Sequence, residues 1–233
     1  MSLAMRLYRD RAVFSPDTET LVLADVHLGR SRTAPIEAPL DGITRQVTRI
    51  ATLVEEFDAR RVVIAGDLLD AFDVVPPGVT ERYRTLEEQL ANRNVSITLV
   101  RGNHDPLLST VASTAVQESV LLGHTVVSHG HAVPEHTGDQ YIIGHAHPAI
   151  RIEGVKYPCY LFGAQVFEGA DVLVLPAFSR LVRGTTINSL SGDDCHAPLL
   201  QQTNLDAYRP LVVDPDTART LAFPPLGSLR AHL

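Results

Sequence analysis

Residues 61–70 read RVVIAGDLLD: an apolar run, then without transition a glycine and two acids. Val62 to Ala65 has the continuous apolar character of a strand buried on both faces, and Gly66-Asp67 marks where the chain leaves the sheet. The same order recurs on either side. Upstream, residues 20–27 read TLVLADVH; downstream, residues 95–105 read VSITLVRGNHD. Between the first two runs, Ile43, Val47, Ile50, Val54 and Phe57 recur at helical spacing. That predicts an amphipathic helix with Arg45, Arg49, Glu55 and Glu56 on its solvated side. Tyr83, Leu86 and Leu90 predict a second helix before the third run. The resulting order is β-α-β-α-β, a sheet with helices packed on it.

Beyond residue 120 the texture changes. Strand-like pieces crowd together at Thr125–Ser128, Gln140–Ile143, Ala149–Glu153, Tyr160–Gly163, Val172–Leu175 and Leu211–Val213. Helical periodicity is weak there, so the second half is expected to build a second sheet facing the first. The expected fold class is α/β (α+β): two facing mixed β-sheets flanked by α-helices. No repeat, low-complexity tract or long linker divides the chain. Residues 1–233 therefore read as one domain, with a motif core over 20–150 and the second-sheet and C-terminal segment over 150–233. Pro76-Pro77 and Pro224-Pro225 punctuate loops, and the tail FPPLGSLR at 223–230 is expected to drape over the surface. Met1 to Ala4, ahead of a second methionine, are set aside.

Composition narrows the functional classes. The chain has 233 residues, 45% of them hydrophobic and 20% charged, which excludes a disordered chain. No uncharged apolar run approaches the ~20 residues needed to span a bilayer, and the N-terminus shows no signal-peptide core, so a soluble cytoplasmic protein is expected. A formal charge of −7 argues against coating nucleic acid by bulk attraction, while leaving room for a local basic groove. Lys156 is the one lysine among 20 cations. Arginine's fork suits phosphate, although GC-rich coding is the plainer cause. Cys159 and Cys195 form neither a disulfide framework nor a CxxC knuckle. Cys159, within the apolar stretch Tyr157 to Phe162, reads as a reduced core thiol.

The chemistry lies in five polar clusters, each directly behind an apolar strand. They are Asp25-Val26-His27; Gly66-Asp67-Leu68-Leu69-Asp70; Gly102-Asn103-His104-Asp105; His129-Gly130-His131; and Gly144-His145-Ala146-His147. Ligand sites in open α/β sheets lie at the carboxyl ends of strands. In an extended segment residues i and i+2 project to one side, so Asp25 with His27, and His145 with His147, can each present two ligands to one place. The glycines at 66, 102, 130 and 144 let the backbone turn as it leaves the sheet. The pooled donors are carboxylates, imidazoles and an amide oxygen, a set suited to Mn, Fe or Zn with open positions for water. There are too many donors for one ion, and a carboxylate such as Asp67 could bridge two metals about 3.5–4 Å apart. Singly, each cluster has a plain reading: a helix cap for GDLLD, a solvated loop for HGH. Their joint, ordered occurrence carries the functional one.

The ordered set DxH, GDxxD, GNHD, H and GHxH resembles the calcineurin-like metallophosphoesterase superfamily. GHAHPAI at 144–150, LPAF at 175–178 and the closing LAFPPLGSLR are similar to the ICC-like phosphoesterases, small members that include DNA-ligase-associated enzymes. The resemblance implies the metallophosphoesterase four-layer sandwich with two divalent metal ions, manganese first, with Fe, Zn or Mg as alternatives. By position, Asp25, His27, Asp67 and His147 would hold the first metal, and Asp67, Asn103, His129 and His145 the second. His104 would contact the phosphoryl oxygens or protonate the leaving alkoxide, Asp105 would orient His104, and Asp70 would support the ligands from behind. Ala71 stands where many relatives carry Arg or His. Arg30 and Arg101 are candidate substitutes as substrate contacts, with a surface salt bridge as the plain alternative for each. His131 is an outer donor or a substrate contact.

The implied reaction is hydrolysis of a phosphate ester by metal-activated hydroxide, with no serine or cysteine nucleophile. A phosphodiesterase or nuclease acting on DNA or RNA is the first reading. A small-molecule phosphomonoesterase or cyclic-nucleotide phosphodiesterase is the second, and a non-catalytic scaffold the third; the filled ligand positions argue against the last.

Overall fold

The computed structural model describes residues 5–30, 38–190 and 195–230, so Met1 to Ala4 lie outside the described residues. One sheet takes Arg6–Leu7 (β1), Val13–Ser15 (β2), Thr20–Leu23 (β3), Arg61–Ala65 (β4), Ser96–Val100 (β5) and Val116–Gln117 (β6), side by side in that order. β3 to β6 are parallel, with Leu21 opposite Val62 and Val63 opposite Thr98. β1, β2 and β3 pair antiparallel, an N-terminal extension of the sheet that the sequence pattern did not reveal. The two helices come where the periodicity put them, at Ala38–Phe57 (α1) and Val79–Ala91 (α2). Among the described residues, no helix is long and apolar enough to cross a membrane.

The chain continues through Ser119–Leu122 (β7), Thr125–Ser128 (β8), Gln140–Ile143 (β9), Pro148–Ile152 (β10), Val155–Pro158 (β11) and Tyr160–Phe167 (β12). Ala170–Val174 (β13), Thr185–Thr186 (β14), Arg209–Val213 (β15) and Thr220–Ala222 (β16) follow. The second sheet has the order β16-β15-β12-β13-β9-β8-β7 and is mixed, since β8, β9 and β13 run parallel and its other pairs antiparallel. The strand expected over Ala149–Glu153 does not join it. Glu153 and Gly154, at φ 47° and 81°, make a two-residue turn that folds β10 back on β11, and with β14 these form a separate small sheet.

Alternation along each strand sorts the core into layers. Leu21, Leu23, Val62 and Ile64 face the helices, against Val47, Ile50, Leu53, Tyr83 and Leu86. Their neighbours Val22, Val63 and Ala65 face the second sheet, against Val127, Ile142 and Leu173. The far side of that sheet, with Tyr141, Ile143, Val172 and Val174, is covered by Leu199, Leu200, Leu205, Tyr208 and Leu226. Helices, sheet, sheet and a C-terminal cover thus make four layers, the sandwich expected of the fold class. The tail departs from expectation: Leu226 and Leu229 are buried, and Leu226 N–H donates to Tyr208 O at 2.8 Å. Burying each such side chain is worth ~2 kcal/mol, which draws the segment inward. Arg49 also departs from a solvated role. Its guanidinium donates to Phe178 O and Asp10 O at 3.1 and 3.0 Å.

Candidate metal centre at the strand ends

The loops after β3, β4 and β5 meet those after β8 and β9 at one edge of the sandwich. Backbone pairing continues irregularly beyond the strands: Asp25 N–H donates to Gly66 O (3.0 Å), His27 N–H to Asp67 O (2.9 Å) and Gly144 N–H to His129 O (2.9 Å). His145 N–H crosses between the sheets to the Asp25 carboxylate at 3.2 Å. The backbone here is not extended. Asp25 (φ 58°), His27 (48°), Asp67 (49°), His145 (64°) and His147 (46°) are all left-handed. The convergence of Asp25 with His27 therefore does not come from strand alternation, as the spacing suggested, but from single left-handed residues that swing each side chain inward. Each costs roughly 1–3 kcal/mol, and five in one place mark a site that the surrounding fold holds under strain. Gly66 and Gly130 have the positive φ expected of sharp turns, 81° and 105°. Gly102 and Gly144 are needed for room: a Cβ would lie 2.0 Å from Asp67 Oδ1 at the first and 2.8 Å from Asp25 Oδ2 at the second.

One ligand atom from each of Asp25, His27, Asp67 and His147 lies within 4.8 Å of the others. His147 Nε2 is 3.0 Å from Asp25 Oδ1, and His27 Nε2 is 3.8 Å from Asp67 Oδ2. Both His27 nitrogens, Asp67 Oδ2 and His147 Nε2 are buried without a hydrogen-bond partner. Such orphans cost about 1–3 kcal/mol each in a finished core, so these nitrogens and carboxylates fit a divalent cation better than they fit one another. Protonation behaviour gives the same message. Burial pushes Asp67 and Asp25 up, but His129 beside Asp67 and His147 beside Asp25 win and hold both acids below the usual carboxylate range. Burial pushes His129 down, yet the Asp67 hydrogen bond and the charges of Asp25 and Asp67 lift it to about 9. His147 is likewise raised by Asp25 against its burial. The two buried acids demand positive charge, and in the absence of a cation they take it as protons.

On the other side of Asp67, His129 donates from Nδ1 to Ala65 O at 3.0 Å, which leaves Nε2 facing Asn103 Oδ1 at 3.1 Å and Asp67 Oδ1 at 3.4 Å. Asp67 thus turns Oδ2 to His27 and Oδ1 to His129. His145 is only partly assembled with this second group: its Nε2 contacts His196 O at 3.2 Å, while its ring packs 4.9 Å from that of His129. Burial and the His129 charge push His145 down to about 4, so it is a neutral donor.

His104 Nδ1 lies 3.4 Å from Asp70 Oδ1; the same oxygen is 3.7 Å from His27 Nδ1, and Asp70 Oδ2 is 3.6 Å from Arg30 Nε. The acid beside His104 is therefore Asp70, and the expectation that Asp105 orients this ring is corrected. Asp105 is buried and spends both oxygens on backbone N–H groups: Leu69 at 2.8 Å, Gly102 at 3.0 Å and Leu68 at 3.3 Å. It ties the loops after β4 and β5 together, and burial pushes it up to about 6 against those donors. Arg101 is a surface salt bridge to Glu118 (3.0 Å), whereas Arg30 belongs to the centre. His131 packs its ring 5.3 Å from His129 and, with Ser128 and His136, borders a cavity of about 530 Å³. Cys159 and Cys195 are both reduced and buried.

Several contributors were not foreseen. Phe72 is 56% exposed with its ring 4.8 Å from that of His104. Ser179, whose N–H donates to Asp25 O at 3.1 Å, and Gln46, whose amide donates to Val26 O and Ser179 Oγ, brace the first loop. An exposed aromatic two residues after GDLLD was the one readable signal; Gln46 and Ser179 left none.

The calcineurin-like phosphoesterase profile matches residues 19–208. Among solved structures, the nuclease MPE of Pseudomonas putida aligns with a TM-score of 0.65 at 22% identity, over 94% of each chain. YfcE, a phosphoesterase from E. coli, aligns at 15% identity and a TM-score of 0.41, over 88% of this chain and 98% of its own. No curated protein sequence matches.

Proposed function

Given that the chain belongs to the calcineurin-like phosphoesterase family, enzymes that hydrolyse phosphate esters, we propose that it is a metal-dependent phosphodiesterase of the nuclease kind. Asp25, His27, Asp67 and His147 would hold one divalent cation, and Asp67, Asn103, His129 and His145 a second, manganese being the first candidate. The observation that carries this reading is Asp67: its Oδ2 faces His27 and, like the His27 nitrogens and His147 Nε2, is buried without a hydrogen-bond partner, while its Oδ1 faces His129 on the other side. Cations bound there would neutralise the phosphoryl oxygens and would acidify a bound water to a pKa of ~7.

The protein's own groups do the rest. His104, its Nδ1 held beside Asp70, presents Nε2 for a proton to the departing oxygen. Two features support a diester over a monoester. Among the described residues, Arg30 is the one arginine or lysine ion-paired to an acid of the centre, and Asp70 already partners it. A dianionic monoester would ask for more positive charge than that. The second feature is the likeness to the Pseudomonas putida nuclease MPE, which aligns over nearly the whole chain.

Under Mn²⁺, bis(p-nitrophenyl) phosphate is expected to be hydrolysed faster than p-nitrophenyl phosphate, with both activities lost to a chelator. Preference for the monoester would replace this reading with a small-molecule phosphatase. In Asp67→Ala, elemental analysis is expected to find at most one ion per chain; two retained ions would remove Asp67 from the shared position.

A further inference from the structure

With 27 acidic against 20 basic side chains, this chain can hold a polyanion only where arginines gather locally. They gather at a cavity of about 370 Å³ whose lining includes Tyr8, Arg9, Arg11, Tyr157, Tyr160 and Arg180. Topology places it on the same edge as the metal centre. β2 runs antiparallel to β3 with Val13 opposite Val22, so the β1–β2 turn holding Tyr8 to Arg11 lies at the end of β3 from which Asp25 projects. One to two strand spacings separate them, roughly 5–10 Å. The link is direct: Arg11 donates to Ala177 O and Ser179 O at 3.0 and 2.9 Å, and Ser179 N–H donates to Asp25 O at 3.1 Å.

Charge at this edge is out of balance. Arg180 and Arg49 both reach Asp10, at 2.8 and 3.4 Å, while among the described residues Arg11 bonds carbonyls alone and Arg9 lies over the Tyr8 ring at 5.5 Å and donates to Pro215 O at 3.2 Å. Among the described residues, Asp10 is thus the one carboxylate ion-paired to any of these four guanidinium groups, with Glu56 beside them accepting from the Tyr8 hydroxyl. Burial, and after it repulsion from Arg180, lowers Arg11 and brings Arg49 down to about 10. The Arg180 side chain remains 68% exposed, and the neighbouring Tyr157 is 41% exposed. An open aromatic face beside exposed guanidinium groups is what an unpaired base and its phosphate require.

We propose that this cavity is the subsite for a single-stranded nucleic acid running out of the metal centre, with Arg9 and Arg180 on a backbone phosphate and Tyr157 stacked on a base. The inference rests on the phosphodiesterase reading and names its substrate class. Arg11 positions Ala177 and Ser179 and is left in place in the test.

The variant Arg9→Ala/Tyr157→Ala/Arg180→Ala is compared with the unaltered protein, both loaded with Ca²⁺ to hold cleavage back. Binding of a fluorescent 12-nucleotide oligothymidylate is followed by anisotropy across salt concentrations. The expected result is affinity at least ~10-fold weaker and a log–log salt slope smaller by about 0.7, one phosphate's worth. In the Mn²⁺ enzyme, kcat/KM for bis(p-nitrophenyl) phosphate, too small to span both places, is expected to stay within ~2-fold. Equal oligonucleotide affinity in both proteins, no binding by the unaltered one, or a parallel fall in small-diester turnover would each overturn the subsite. If the unaltered enzyme binds the oligonucleotide through these residues yet hydrolyses neither ester, the subsite stands and the phosphodiesterase reading fails.

Discussion

Asp70 touches three partners at once, His27, His104 and Arg30, whereas Asp105, two elements away in the pattern, touches only backbone. The two acids therefore fail differently. Asp70→Asn is expected to lower kcat about 10-fold with little change in the urea midpoint, because it loosens the hold on His104. Asp105→Asn is expected to cost ~1–3 kcal/mol in urea unfolding, since an amide oxygen cannot accept all three N–H groups. Equal effects on kcat and stability in both variants would refute the division. His104→Ala is expected to cut turnover at least ~100-fold while two metal ions remain by elemental analysis. Residue types at the strand ends were readable because each follows its own apolar run. The pairing of acid with histidine was not, because each acid closes its own polar cluster, Asp70 four residues after Gly66 and Asp105 three after Gly102, and only the turn geometry decides which of them faces His104.

At the level of elements, strands and helices were legible where period and burial agree. TLVLA, RVVIA after its exposed Arg61, and the Leu99-Val100 end of SITLV are buried because helices cover one face and a second sheet the other. The connecting turns hid more. β1, β2 and β6 have only two or three residues, too few for alternation to register. Glycine carries two separate demands, and they can be told apart by experiment. Gly66 has φ 81° and a Cβ there would lie 2.3 Å from His129 Nδ1, while Gly169 has φ 83° and nothing within 4 Å of its Cβ. Gly169→Ala should therefore show backbone strain alone, about 1 kcal/mol, with activity intact. Gly66→Ala should lose several kcal/mol and its metal content together, as the strain is joined by displacement of the His129 ring. Comparable urea midpoints for the two variants would show that the His129 contact is not rigid.

The whole molecule couples its stability to protons through the same centre. In the chelator-treated protein, His129 and His147 are raised, His129 to about 9 from an unfolded value near 6.5. A raised histidine contributes stability that is full below the unfolded pKa and is lost as pH rises through the folded one. The metal-free melting temperature is thus expected to fall between pH 7 and 8.5, before the buried thiols begin to ionise in the unfolded chain. With Mn²⁺ saturating, the trend should reverse, because deprotonated ligands bind the cation more tightly and binding to the folded state stabilises it. Calorimetry at the two pH values, with and without metal, checks both signs; a metal-free melting temperature that rises would sink the assignment of those protons. By itself the sequence determined the alternation of strand and helix, the two-sheet class, and the kinds of donor that leave each strand, since apolar period and polar punctuation are local properties. Only the tertiary structure decided that the ligand residues are left-handed, that Asp67 faces two ways, and that Arg9, Arg11 and Arg180 meet Tyr157 beside them. Those facts join positions up to about 170 residues apart at one edge. What brings such side chains together is the packing of whole layers, which no spacing along the chain encodes.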